Sequence, residues 1–190
     1  MHEPRAAAIA ALAERIVTLK LLPRTGWLQR GVVAAESVAE HSFGVAALAL
    51  IFAATDPTLD RSRLLAIAII HDMAEALLGD LPLTARRLIG EGAKRDAECR
   101  AMAELFAALP ERERLVELWQ DYASGATREA RLVKALDRAE TLAQALAYER
   151  AGNDDLGEFW HGATDGLEEF PDVAAFIASM QAQRRLRADG

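Results

Sequence analysis

Apolar positions recur at spacings of three and four along most of the chain, the period of an α-helix. No segment shows sustained alternation of β-branched residues, so strands are not expected. The pattern predicts about six to eight helices. The first covers roughly residues 4–22, with Pro4 suited to an opening turn. A loop follows up to Glu36, carrying Pro23, Gly26 and Gly31 and an unusual share of Arg and Trp. Ser37 caps a second helix, Glu40 completes a capping box with it, and Asp56-Pro57 breaks it after about Ala54. Asp60 caps a third helix ending near Leu78, with Gly79 just beyond. Thr84 starts a further turn. Amphipathic helices follow over about residues 92–109 and 111–122. Thr127 caps a long helix that stops before Gly152-Asn153, and the last helices lie near residues 155–161 and 171–186. The expectation is an all-α helical bundle forming a single domain over residues 1–190, with a motif-bearing core at about 19–149 and C-terminal helices (155–187) packed on it.

Composition narrows the function classes. A chain of 190 residues buries a core without disulfides, and its one cysteine, Cys99, permits neither a disulfide framework nor a cysteine zinc cage. The net charge of −7 argues against a surface that tracks long nucleic acid. It leaves room for a small phosphorylated ligand held by a metal and a few local cations. Glu14 and Arg15 interrupt the first apolar segment, so no signal peptide is expected. The longest apolar run, residues 45–54, is short of a membrane span. These features give the expectation of a soluble, cytoplasmic protein without a membrane partner.

The chemistry concentrates at the end of the third helix. Residues 64–70 are apolar all round, then His71, Asp72 and Glu75 appear abruptly. An unpaired carboxylate in such surroundings is costly, and a cation offsets that cost. An isolated His-Asp pair also reads as a cap or a buried salt bridge. Glu75 shares the face of both residues, which makes three ionisable groups on one buried turn. Asp80 follows the helix C-terminus, where the dipole disfavours a carboxylate. His41 lies one turn into the second helix, and Asp137 lies beside the apolar face of the long one.

The order His41, His71-Asp72, Asp137 resembles the H…HD…D signature of the HD-domain superfamily. The stretches LKLLPRTGWLQRGV, ESVAEH, HDMAEALLGDLP and LVKALDRAET resemble its 5′-deoxynucleotidase branch. The resemblance covers roughly residues 19–149. It implies one divalent metal (Mn, Co, Fe, Ni, Zn or Mg) bound by His41, His71, Asp72 and Asp137. It implies that Glu75 and Asp80 are catalytic carboxylates. Trp27 and a nearby arginine would contact the nucleotide, with Leu81 and Pro82 beside them. In the characterised bacterial branch an arginine directly precedes the tryptophan. Here Gly26 holds that place, and Arg24 and Arg30 flank Trp27 instead.

The implied activity is hydrolysis of deoxyribonucleoside 5′-monophosphates. Glu75 is assigned to the attacking water and Asp80 to the departing 5′-oxygen, roles that sequence alone leaves interchangeable. Trp27 is the candidate wall against a 2′-hydroxyl. An HD-type phosphodiesterase or nucleoside triphosphate hydrolase is the alternative enzyme reading, and a non-catalytic helical binding module is the other. The resemblance favours a homodimer. Trp119 and Trp160 read as packing residues, and His2 and His161 as exposed.

Overall fold

The structure is a computed structural model that describes residues 3–188. His2 lies outside the described residues. Eight helices have seven or more residues: α1 (Glu3–Leu21), α3 (Val38–Thr55), α4 (Arg61–Ile70), α6 (Leu83–Ile89), α7 (Glu91–Leu105), α8 (Arg112–Ser124), α9 (Arg128–Arg150) and α10 (Pro171–Ala188). Two single turns, α2 (Thr25–Leu28) and α5 (Glu75–Leu78), and a 3-10 turn at Gly157–Trp160 complete the chain. No strand occurs among the described residues. The only β-type pairing among them is a single bridge between Pro23 and Ser37.

The expected caps are in place. The Ser37 hydroxyl accepts from Glu40 N–H while Glu40 reaches back to the Ser37 backbone, and the side chains of Asp60 and Thr127 accept from Arg63 and Ala130. Each such cap contributes on the order of 1 kcal/mol and fixes where its helix begins.

The third expected helix, however, does not run through to Leu78. It stops at Ile70 and resumes at Glu75. His71 takes both of its neighbouring acceptors out of the regular ladder. Its Nδ1 bonds to the Ala68 carbonyl at 2.8 Å, and its own carbonyl accepts from Trp119 Nε1 at 3.2 Å. Glu75 N–H therefore bonds back to Asp72 O, and Ala76 N–H to Met73 O, a tighter i→i+3 spacing. The interruption falls on the His-Asp pair itself.

Two apolar clusters flank this point. One joins α3, α4, α9 and α10 through Val45, Ala49, Leu64, Ile67, Leu136 and Ile177. The other joins α1, α7 and α8 to the end of α4 through Leu19, Ile70, Met102 and Trp119. Along α3, Val38 packs in the second cluster and Val45 in the first, with His41 between. Along α4 and the turn after it, Leu64 and Ile67 pack in the first, and Ile70 and Met73 in the second. Each fully buried aliphatic side chain contributes roughly 1.5–3 kcal/mol. The chemistry-bearing segments are thus anchored on both sides by core packing.

α3 has 18 residues and a mean hydropathy of 1.6, enough by length and composition to cross a membrane. That exceeds the short run read from sequence. Its inner face carries His41, Val45, Ala49 and Ala53 and packs on α4 and α9, while Phe43, Leu50 and Ile51 are exposed.

Candidate metal centre and phosphate site

His41 from α3, His71 and Asp72 from the turn after α4, and Asp137 from α9 converge. His41 Nε2 lies 3.1 Å from Asp137 Oδ1 and 3.7 Å from Asp72 Oδ2. His71 Nε2 lies 3.1 Å from Asp72 Oδ2. Ligand atoms of His41, His71 and Asp137 all fall within 4.8 Å of one another. Both imidazoles are fully buried, yet neither Nε2 has an aligned hydrogen-bond partner. A buried nitrogen left without a partner is costly.

The opposite edge of each ring is occupied. His41 Nδ1 lies 2.5 Å from Glu140 Oε2, and His71 Nδ1 donates to the Ala68 carbonyl. This presents each Nε2 as the lone-pair nitrogen, the arrangement that metal-bound histidines use. Two imidazole nitrogens and two carboxylates make a mixed nitrogen–oxygen donor set that suits a divalent metal.

The electrostatics agree. Burial and Arg24 oppose a charge on His41, but the carboxylates of Asp137 and Glu140 prevail and raise its pKa to about 9. Burial opposes the charge of Asp72, but His71 overrides it and brings its pKa to about 2. Asp137 is held still lower, because His41, His71 and Arg24 outweigh its burial. In the metal-free chain the site therefore carries protons where a cation would sit.

A cavity of about 290 Å³ opens above these groups, lined by His71, Asp72 and Asp137 with Glu75, Asp80 and Leu81. Burial, reinforced by Asp72 and Asp80, pushes Glu75 up to about 10. Asp80 Oδ2 accepts from Thr25 N–H at 2.5 Å and from the Thr25 hydroxyl at 2.9 Å. This ties α2 to the site and delivers Arg24 to the cavity wall, where Nη1 donates to Thr141 Oγ1 at 3.2 Å.

The two arginines flanking Trp27 part company. Arg24 lines the cavity, whereas Arg30 donates to Glu158 at 2.8 Å on the exterior and does not line it. In place of the expected sugar wall, Trp27 is a core residue at 1% exposure that does not line the cavity. Its ring stacks on Phe159 at 4.4 Å, and its Nε1 donates to Glu36 at 2.9 Å. The cause is apolar area: an indole buried against Phe159 and Tyr148, with its one donor satisfied, leaves little to present to solvent. Pro82 caps α6 beside Leu81 without lining the cavity. His161 is exposed and Trp119 and Trp160 are buried, as expected.

Sequence reasoning missed Glu140, Tyr122 and a group of cations. Tyr122 donates to Asp137 Oδ2 at 2.9 Å. Glu140 lies three residues after Asp137 on the same helix, a spacing that would have placed it on the same face. Arg86, Lys94, Arg95 and Lys134 also line the cavity. They come from helices whose charges read as ordinary solvated faces.

Comparison with known proteins agrees with this geometry. The chain is 35% identical to the Bos taurus 5′-deoxynucleotidase HDDC2 over 90% of its length and 83% of that protein's. It is 34% identical to the Schizosaccharomyces pombe 5′-deoxynucleotidase hdd1, covering 97% of this chain and 94% of that one. Among solved structures, a conserved hypothetical protein from Pyrococcus furiosus superposes with a TM-score of 0.75 at 35% identity, covering 93% of this chain and 99% of the other. A "Predicted metal-dependent phosphohydrolase" from Magnetospirillum magnetotacticum gives a TM-score of 0.73 at 26% identity, covering 99% and 96%. Residues 16–172 match the family described as HD domain, and with its histidines and aspartates converging as above, the chain belongs to that family.

Proposed function

We propose that this protein is a metal-dependent 5′-deoxynucleotidase, hydrolysing deoxyribonucleoside 5′-monophosphates to deoxynucleoside and phosphate. The observation that carries the reading is the pair of buried, unpartnered Nε2 atoms of His41 and His71, aimed with Asp72 and Asp137 at one point beneath a cavity. The names and coverage of the relatives support the same substrate class.

His41, His71, Asp72 and Asp137 would hold the divalent metal. When bound, it supplies charge neutralisation at the phosphate and acidifies water. The chain's own residues do the rest. Arg24 offers planar guanidinium donors that match phosphate oxygens, and it orients the phosphoryl group. Asp80 holds Thr25, and hence Arg24, in register. Water attacks phosphorus and the bond to the 5′-oxygen breaks, a reaction governed mainly by positioning and electrostatics. No described side chain hydrogen-bonds the carboxyl group of Glu75, which leaves it free to face the ligand. Its raised pKa lets it carry a proton at neutral pH, and it passes this proton to the departing 5′-oxygen. This gives Glu75 the leaving-group role that the sequence reading gave Asp80, and the remaining proton of the attacking water leaves on the phosphate product.

The exposed apolar residues Phe43, Leu50 and Ile51 of α3 support a homodimer in which a second copy covers that face. Light scattering at micromolar concentration tests it: a mass of twice the chain is expected, and a monomer would contradict it.

A phosphate-release screen tests the activity, using deoxy- and ribonucleoside 5′- and 3′-monophosphates, each with Mn, Co, Mg and Zn. Release from deoxyribonucleoside 5′-monophosphates above the others is expected. Release from none of them, with metal bound, would overturn the reading.

A further inference from the structure

The cavity lining carries charges of both signs. Asp72, Asp80, Asp137 and Glu75 belong to the metal centre and its surroundings. Arg86 from α6, Lys94 and Arg95 from α7, and Lys134 from α9 also line the cavity. Two carboxylates lie among these cations: Glu98 pairs with Lys94, and Glu91 lies 3.8 Å from Arg86. On α6 and α7 three cations thus line the cavity with two anions, and Lys134 joins them from α9. The chain as a whole is at −7, so this concentration runs against its average.

Two further features point the same way. α7 begins at this wall with Gly90 as its N-cap, and no side chain caps its first N–H groups. Gly92, in its first turn, lines the cavity, and the space where a side chain would start is open. An uncapped helix N-terminus with adjacent cations favours an anion. Lys134 feels the crowding: burial lowers its pKa, and Lys94, Arg86 and Arg95 lower it further, against the pull of Asp137. An anion in their midst relieves that repulsion.

We propose that Arg86, Lys94, Arg95 and Lys134, with the N-terminus of α7, form a second phosphate subsite in the cavity that opens on the metal centre. It rests on the reading that the metal centre takes the scissile phosphate, and it adds a position for a second phosphate group. That group is either part of the substrate, as in a deoxynucleoside 3′,5′-bisphosphate, or free inorganic phosphate. Nucleobase recognition is a poorer match, because charged side chains dominate this wall.

The test has two arms on the full chain. In the first, inorganic phosphate is titrated calorimetrically into metal-free protein. Saturable binding is expected, weakened about tenfold or more in Lys94→Gln/Arg95→Gln through loss of charge-assisted hydrogen bonds. It should be strengthened in Glu98→Gln, which frees Lys94. In the second arm, metal-loaded wild type and the double variant hydrolyse a matched deoxynucleoside 5′-monophosphate and 3′,5′-bisphosphate. A lower KM for the bisphosphate, lost in the double variant, assigns the second phosphate to the substrate. Equal KM values with intact phosphate titration assign the subsite to free phosphate. Phosphate binding and the bisphosphate-to-monophosphate ratio both unchanged in the double variant would overturn the proposal. Failure of loaded wild type to hydrolyse the monophosphate would overturn the reading of the metal centre instead, while the titration still judges the subsite.

Discussion

Glu140 Oε2 lies 2.5 Å from His41 Nδ1, and the contact exists because position 44 is glycine. A Cβ on Gly44 would stand 2.5 Å from Oε1 of Glu140, inside any real contact distance. Gly44 sits one turn beyond His41 on α3, so α3 and α9 approach closely enough for the carboxylate to orient the ring. Glu140→Gln should weaken metal binding by ~10–100-fold with the fold retained, the usual effect of losing such a partner. Gly44→Ala should do the same by displacing Glu140, and the double variant should lose little more. Metal titration monitored by calorimetry checks this; additive losses would separate the two residues.

Stability of the metal-free chain should fall as pH rises. His41 is raised from 6.5 to about 9 and Glu75 from 4.5 to about 10, so the folded state binds more protons than the unfolded state between those values. The stabilisation is fully present below the unfolded values and is lost as pH rises through the folded ones. His41 alone accounts for roughly 3 kcal/mol across that window. Thermal melts of chelator-treated protein should therefore drop from pH 7 to pH 9.5. Metal affinity should rise over the same range, because the metal displaces those protons. A melting temperature that climbs with pH in the metal-free protein would contradict the site's electrostatics.

Glu75→Gln should keep the metal and lose turnover by ~10²–10⁴-fold, the range for removal of a general acid or base. Metal content by elemental analysis, beside kcat, checks it. Loss of metal in this variant would place Glu75 among the ligands.

Arg24→Gln should raise KM and lower kcat with the metal retained, while Arg30→Gln should leave both within about twofold, since Arg30 does not line the cavity and pairs with Glu158. Trp27→Ala should cost ~3–5 kcal/mol of stability in a denaturant titration, as expected for a fully buried indole.

The fold was legible where local chemistry decides it. Ser37, Asp60 and Thr127 mark their helix starts by side-chain capping, a signal carried within four residues. The four residues of the metal centre were legible through the resemblance their spacing carries. The break at residues 71–74 was not, because it depends on Trp119, 48 residues away, taking the His71 carbonyl. Glu140 was missed because a helical glutamate usually faces solvent, and only the gap left by Gly44 brings it inside. Trp27 was placed in the sugar site through the family resemblance alone. Phe159, far along the chain, claims its ring instead.

The central claim is that His41, His71, Asp72 and Asp137 hold one metal that is required for phosphate release. The most direct measurement takes wild type and His71→Ala through the same metal reconstitution, then records bound metal per chain and phosphate release from a deoxyribonucleoside 5′-monophosphate. The account predicts about one metal and steady release in wild type, with both lost together in the variant. Phosphate release that survives in the variant, or metal-loaded wild type that releases none, would contradict it.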